Sequence, residues 1–588
     1  YNTGLEGNFR KYEKSGISAG ISYNLPALLA DEENDRYVLA TEAVFNPEYS
    51  GSHVEGTTDG NLRFAAYNNE IVTVSSPFTT PWRVLAAGSL ADITENSLVT
   101  DLSDDPDENI DYSFAVPGIS AWSWLTEGGS GQVNLATHKK YVDYAAEMGW
   151  SYYTLDDGWQ PRDGSTYKIQ GGTYDWFPEL VEYANNKGVK LIVWVHKVNC
   201  VNESDMNALL EEYASLGVAG IKIDFFDSEA QSIMALYDRV YKKCASLGLV
   251  VNCHGANKPT GEVRTYPNVM AREAVRGEEY RFESFDAAQY TILPFIRGTV
   301  GPADVTEMLS PSLYADTTCG SQVAMSVLMA SGIHYMGSGP EEMEKSPAKG
   351  LYRNFPAVWD DTKLIEGKLG EYAALLRRSG KVYYAAGITT EERTASFRLD
   401  FLGDGKYLAE LYRDGGDIMT LVRETSVVEK GDTITVSMLR RGGATIRLTP
   451  LSDFTTPESL SFDTEKIILD VGTTLDLTPA VSDGASADAL LYSSSNEKVV
   501  SYEGGRLYAK AAGAATVRVT SANDPSVFAE CFVGVRRADD STPAVEVTAP
   551  DTVAENTPFT ISFDASEGVS EADYRLYDGD FSPVAISF

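Results

Sequence analysis

The chain has 588 residues with 43% hydrophobic and 11% aromatic content, which excludes a largely disordered polymer and predicts roughly three to five domains rather than one. Its formal net charge is −37, from 85 acidic against 48 basic residues, which argues against nucleic acid and anionic membrane as partners. A neutral ligand would be indifferent to that field, and solvated acidity also serves solubility.

Five cysteines (Cys200, Cys244, Cys253, Cys319 and Cys531) show no CxxC spacing and cannot all pair, which argues against a disulfide framework and a zinc site. No apolar run approaches the length of a membrane span. The chain opens at Tyr1 without a methionine or a signal-peptide core and stops at Phe588, so both ends read as cut points in a longer protein.

In chain order, residues 1–115 read as β structure: runs such as "RYVLATEAVF" and "PWRVLAAGSL" are short, alternating and bounded by turn residues, with no clear amphipathic helix. From 116 to 378 short apolar runs alternate with helical patterns. The runs are "YYTLDDGW" (152–159), "KLIVWVHK" (190–197), "GIKIDFF" (220–226), "LVVNCHG" (249–255) and "NVMAREA" (268–274). Several helices close on a glycine just before the next strand, as in "AAEMGW", "YANNKGVK", "YASLGVAG" and "CASLGLV". Strand–helix repeats with runs apolar on both faces predict a parallel sheet, and this length favours a (β/α)₈ TIM barrel closed by a helical stretch near Arg378. No glycine-rich dinucleotide fingerprint follows the first strand.

Residues 379–452 return to period two and predict a β-sandwich. Residues 455–537 form a further β-sandwich module; "SSNEKVVSYEGGRLYAKAAGAATVRVTS" resembles bacterial Ig-like group 2 domains. Residues 543–588 read as the start of another β-module.

In a barrel the catalytic groups stand at the C-terminal ends of the strands. The polar residues there are Asp156, Asp157, Trp159, Trp194, His196, Lys197, Lys222, Asp224, His254, Glu273, Arg276 and Glu279. Carboxylates beside tryptophans point to sugar chemistry, because sugar C–H faces pack on indole while carboxylates handle hydroxyls and protons. A serine triad is disfavoured, since no GxSxG elbow stands at a strand end. Several positions read two ways. Asp156 or Asp157 is a turn cap or a sugar ligand, His254 a core histidine or a site residue, and Trp194 core or platform. Asp224 ends a buried strand, where an acid carries a desolvation cost that demands a reason.

The stretches "AAEMGWSYYTLDDGW", "GIKIDFF", "NCHGANKPTGEVRTYPNVMAREAVRGEEY" and "FIRGTVGPADVT" resemble glycoside hydrolase family 97, and "YVLATEAVF" with "PWRVLAAG" resembles that family's N-terminal β-super-sandwich, here lacking its beginning. The resemblance spans roughly residues 1–450. It implies a calcium-dependent, exo-acting α-glycosidase. Inverting members carry a glutamate base directly after the histidine of the fifth strand, a place held here by Gly255. The retaining branch, best known for α-galactosidases, therefore matches better. It implies Asp224 as nucleophile and Glu279 as acid/base, with Glu42, Glu273 and Glu279 among the calcium ligands. Asp156, Asp157, Trp159, Trp194, His196, Lys222, His254 and Arg276 are expected to bind substrate. Asp157 departs from the glutamate of many relatives.

The expected partner is an oligosaccharide or glycan with a terminal α-linked sugar, and the expected location is secreted or at a bacterial cell surface. The Ig-like modules would link the chain to that surface or to further domains. The alternatives are an α-glucosidase or other α-hexosidase, and a non-catalytic surface protein that binds carbohydrate. The joint presence of Asp224 and Glu279 favours the enzyme.

Overall fold

The computed structural model describes residues 18–281, 287–310, 317–353 and 355–536, a few positions before residue 18, and the strands Val545–Thr548 and Ser562–Ala565. Most of the module expected over 543–588 lies outside the described residues. Two compact units are present: residues 1–450 apart from 425–427, and residues 451 onward together with 425–427.

The N-terminal region of the first unit holds two three-stranded antiparallel sheets. One pairs Ala27–Asp31, Arg36–Ala43 and Trp82–Gly88; the other pairs Ser22–Asn24, Ser52–Gly56 and Leu62–Ala66. Tyr23, Ala27, Ala40 and Val54 pack between them. Two short helices, Leu90–Thr94 and Leu98–Asp101, follow where the sequence predicted only β structure. The first is nucleated by a reciprocal cap between Ser89 and Asp92, a local signal that hydrophobic periodicity does not report.

The central domain is a parallel sheet of seven strands. In chain order they are β1 (Gly118–Trp122), β2 (Tyr152–Leu155), β3 (Lys190–His196), β4 (Gly220–Asp224), β5 (Val250–Cys253), β6 (Val269–Arg272) and β7 (Ile333–Met336), arranged β6-β5-β4-β3-β2-β1-β7. Helices α1 (Leu135–Met148), α2 (Phe177–Asn186), α3 (Glu203–Ser215) and α4 (Gln231–Leu247) make the first four crossovers. The glycines predicted to close them, Gly149, Gly188, Gly217 and Gly248, all take left-handed backbone.

The expected eight-stranded barrel is nearly closed rather than regular. The segment after Pro302 stands in the gap between β6 and β7. Ala303 bridges Arg272 in parallel, its N–H donates to Ala330 O at 2.8 Å, and Gly337 N–H donates to Glu307 O at 2.8 Å. Proline removes one ladder donor at this place, so the eighth element pairs at isolated points instead of along a strand.

The expected helical stretch near Arg378 is corrected. Asp361–Lys368 and Tyr372–Ser379 are the first strands of a six-stranded antiparallel sheet that runs to Gly443–Pro450. This sheet begins inside the span assigned to the barrel. Its residues Ala373–Leu376 are buried without alternation. One side packs on helix α5 (Cys319–Leu328), and the other meets Phe397 and Val436 of a two-stranded sheet. A strand covered on both faces shows no period of two, which is why "YAALLRRS" reads as helix.

The second unit folds as two facing sheets. Lys466–Asp470, Phe528–Arg536, Gly513–Ser521 and Leu490–Ser494 form one, and Thr474–Asp476, Arg506–Ala509 and Val500–Glu503 the other. Leu490, Val500, Leu507, Val517 and Val533 fill the space between.

Candidate active site

The C-terminal ends of β1 to β6 converge on a charged floor. At its centre is Lys222 of β4, fully buried, with Nζ donating to Asp156 Oδ2 at 2.8 Å and lying 4.5 Å from the ring centre of Trp122. Trp122 Nε1 donates to the same oxygen at 2.7 Å. A buried ammonium needs such a partner, since an unpaired charge in the interior costs several kcal/mol, on the order of 3–5.

Asp224 ends β4 beside this pair. Its Oδ2 accepts from Trp194 Nε1 at 2.9 Å and its Oδ1 from the backbone N–H of Phe225 at 2.7 Å. Burial lifts its pKa to about 6; Glu279 adds to the rise, while Lys222, His254 and Trp194 oppose it.

His254, just beyond β5, joins the carboxylates of the far side. Its Nε2 faces Asp304 Oδ2 at 2.7 Å, and its Nδ1 faces Glu273 Oε2 at 3.3 Å and Glu279 Oε2 at 3.2 Å. Asn252 Nδ2 donates to the same Asp304 oxygen at 2.9 Å. Burial and Lys222 would drive the imidazole neutral, but hydrogen bonds to Asp304 and Glu279 lift it to about 9. Burial would in turn raise Glu279, but Lys222 and His254 outweigh it and hold that carboxyl at about 2. These opposed shifts favour the charge on Glu279 and the proton on Asp224.

Glu278 is separated from this chemistry. It is 1% exposed, and its Oε1 accepts from Tyr290 and from Gln322 Nε2. The neighbouring Glu279 side chain, 23% exposed, faces the cleft.

One ligand atom from each of His254, Glu273 and Glu279 lies within 4.8 Å of the others, the arrangement that could hold a cation among the described residues. The two carboxylates suit calcium, a hard cation that takes oxygen ligands; imidazole does not, and two carboxylates start such a ligand set without completing it. Glu42 lies outside this group. Its Oε2 meets Lys258 Nζ at 2.9 Å and accepts from Ser52 N–H at 2.8 Å, and its Oε1 meets Arg83 Nη1 at 2.9 Å. Burial would raise the Glu42 carboxyl, but Lys258 and Arg83 lower it.

Residues 118–275 match the family described as Glycoside hydrolase 97, residues 1–105 its N-terminal part, and residues 358–449 its C-terminal part, described with the word oligomerisation. A "Probable retaining alpha-galactosidase" of Streptomyces bingchenggensis is 35% identical over 450 residues, covering 75% of this chain and 69% of its own length. The chain belongs to glycoside hydrolase family 97. The "Retaining alpha-galactosidase" of Bacteroides thetaiotaomicron is 30% identical over 413 residues, 65% of this chain and 62% of its own length. A family 97 enzyme from Pseudoalteromonas sp. strain K8, solved as a variant, shares the fold with a TM-score of 0.69 at 22% identity, over 76% of this chain and 77% of that one. A β-arabinopyranosidase superposes with a TM-score of 0.66 at 26% identity, over 75% of each chain.

Within this family 97 glycoside hydrolase, the barrel brings together Asp156, Lys222, Asp224, His254, Glu273 and Glu279 as expected from their strand ends. Others take different places. Trp159 is 1% exposed, donates to Trp194 O at 2.8 Å and packs on Phe177, so it is a core residue with no face open to a sugar. Trp194 is also buried and serves through its N–H. His196 packs against Tyr167 at 4.7 Å and Phe225 at 5.0 Å, in one aromatic cluster. Asp157 is clamped by Arg162 through two 2.6 Å bonds, and the Arg276 guanidinium lies 4.0 Å from the Tyr280 ring centre.

Sequence reasoning missed Asp304, Trp122 and Tyr167. Asp304 carried a signal, an acid between apolar residues in "PADVT"; Tyr167 sits in a loop whose register no periodicity fixes.

Proposed function

We propose that this chain is an exo-acting, retaining α-galactosidase with Asp224 as nucleophile and Glu279 as acid/base. The observation that carries the reading is Gly255. It has φ +51°, and a Cβ there would come within 2.8 Å of the backbone N and Cα of Phe225. Asp227 N–H also donates to Gly255 O at 2.7 Å, so the β4 loop covers the place where inverting relatives carry their base. Asp224 stands beside it, fixed through both oxygens.

The steps follow from these positions. Glu279 gives its proton to the glycosidic oxygen as an Asp224 oxygen attacks the anomeric carbon; the C–O bond to the leaving group breaks and a β-linked glycosyl ester forms. Glu279 then takes a proton from water, which attacks the same carbon and releases Asp224, giving the α-sugar. Asp156, whose Oδ2 accepts from Trp122 and Lys222 and whose Oδ1 accepts from Asp157 N–H, would meet a hydroxyl of the terminal sugar through a remaining lone pair. Calcium bound by Glu273 and Glu279 would supply positive charge and fix the orientation of both carboxylates.

A β-arabinopyranosidase activity is the second reading, favoured by the relative of that name. β-L-Arabinopyranosides share the ring hydroxyl pattern of α-D-galactosides but lack the hydroxymethyl group. We further read residues 455–537 as an Ig-like module of a secreted or cell-surface enzyme, a reading supported by their sequence pattern and two-sheet sandwich.

Asp224→Ala tests the assignment. Turnover of an α-galactoside is expected to fall about a thousandfold or more. Added azide is expected to restore activity and yield the β-galactosyl azide. Near-normal turnover by the variant would remove Asp224 from the mechanism.

A further inference from the structure

Directly after the proposed nucleophile, Phe225 is held in a conformation and an environment that packing alone does not explain. Its φ is +66°, left-handed backbone that is strained for a bulky residue. The side chain is nevertheless 41% exposed, so burial does not offset that strain. The ring packs in a cluster: His196 lies 5.0 Å away at 26°, Tyr167 5.9 Å away and Trp194 6.4 Å away edge-on, and His196 is itself stacked on Tyr167 at 4.7 Å and 10°. Arg162, tied to Asp157, lies 4.4 Å from the Tyr167 ring centre.

The loop is pinned on both sides of the ring. Phe225 N–H donates to Asp224, Lys197 Nζ donates to Phe226 O at 2.7 Å, and Asp227 N–H donates to Gly255 O at 2.7 Å. Further along, Gln231 Nε2 donates to Glu48 O at 2.8 Å and Thr73 O at 2.6 Å of the N-terminal domain. Among these clustered rings Phe225 is the exposed one, while Trp194 is buried and Tyr167 and His196 are half-buried.

We infer that Phe225 is the platform for the sugar on the leaving-group side of the scissile bond. This rests on the glycosidase reading above. The buried Trp122, Lys222 and Asp156 hold the deep end of the cleft, so a terminal sugar bound there directs its glycosidic bond toward the mouth, where Phe225 stands. An aromatic face suits the C–H face of a hexopyranose and requires no particular hydroxyl pattern. Its backbone link to Asp224 holds the platform in register with the attacking carboxylate.

The test compares two substrates with the same glycone: α-galactosyl fluoride, whose leaving group has no ring, and the disaccharide galactosyl-α-1,6-glucose. Any disturbance of Asp224 affects both and cancels in the ratio of their kcat/KM values. For Phe225→Ala the disaccharide-to-fluoride ratio is expected to fall roughly tenfold, mainly through KM of the disaccharide. Phe225→Tyr is expected to keep the wild-type ratio. An unchanged ratio in Phe225→Ala would overturn the platform while leaving the glycosidase reading intact. Wild-type enzyme inert on the fluoride would overturn the galactosidase reading, and the platform with it.

Discussion

Trp194 Nε1 donates to Asp224 Oδ2 at 2.9 Å, so an indole on β3 fixes the carboxylate that ends β4. The adjacency is set by strand register, in which Trp194 pairs with Lys222 and His196 with Asp224. A donor to the charged form favours that form. Trp194→Phe keeps the ring and removes the N–H. It is expected to raise the pKa of Asp224 and to lower kcat about tenfold, on the scale of one charge-assisted hydrogen bond. A pH series of kcat for both proteins checks this.

The pH dependence of the wild type follows from the same pair. Asp224 is raised to about 6 and Glu279 held at about 2, so between these values the two carboxyls share one proton. The reaction needs that proton on Glu279 and Asp224 charged, which is the minor of the two arrangements. Above a pH of about 6 the pair loses its last proton. We therefore predict that kcat/KM is level in mild acid and falls about tenfold per pH unit above that value.

Glu273 and Glu42 are predicted to respond differently to calcium. Glu273→Gln removes an oxygen donor from the group at His254 and is expected to weaken calcium binding about tenfold or more, read by calorimetric titration. Glu42→Gln leaves Lys258 with Glu229, 2.6 Å away, as its remaining carboxylate partner. Its expected effect is about 2 kcal/mol of lost stability in urea, with the smaller change in calcium affinity.

Gly255 is predicted to tolerate no side chain. Gly255→Ala meets Phe225 backbone and a left-handed φ together. It is expected to cost about 2–4 kcal/mol in thermal unfolding and to lower activity by displacing the β4 loop. Gly255→Glu is expected to lose activity further without yielding an inverting enzyme.

Much of this site is legible in the sequence because catalytic groups in a barrel stand at the ends of strands, and the strands themselves are continuous apolar runs. "GIKID" places Lys222 and Asp224 without reference to anything distant, and the closing glycines set the helix ends. Residues whose role depends on remote partners are not legible in this way. Asp304 acquires meaning through His254, Trp122 through Lys222, and Glu42 through Lys258 and Arg83. Trp159 shows the converse: a tryptophan at a strand end suggested a sugar platform, but its ring is consumed by Phe177 and Tyr213. The irregular element at Ala303 and the doubly covered strand Tyr372–Ser379 lack the periodicity on which strand assignment depends.

The central claim is that Asp224 attacks carbon directly, and the anomer first released tests it. Two displacements, by Asp224 and then by water activated through Glu279, preserve configuration. Hydrolysis of an α-galactoside followed by proton NMR from the first minutes is predicted to show the α-anomer of galactose first, with the β-anomer growing only at the rate of mutarotation. Appearance of the β-anomer first would mean a single displacement by water, and Asp224 would not be the nucleophile.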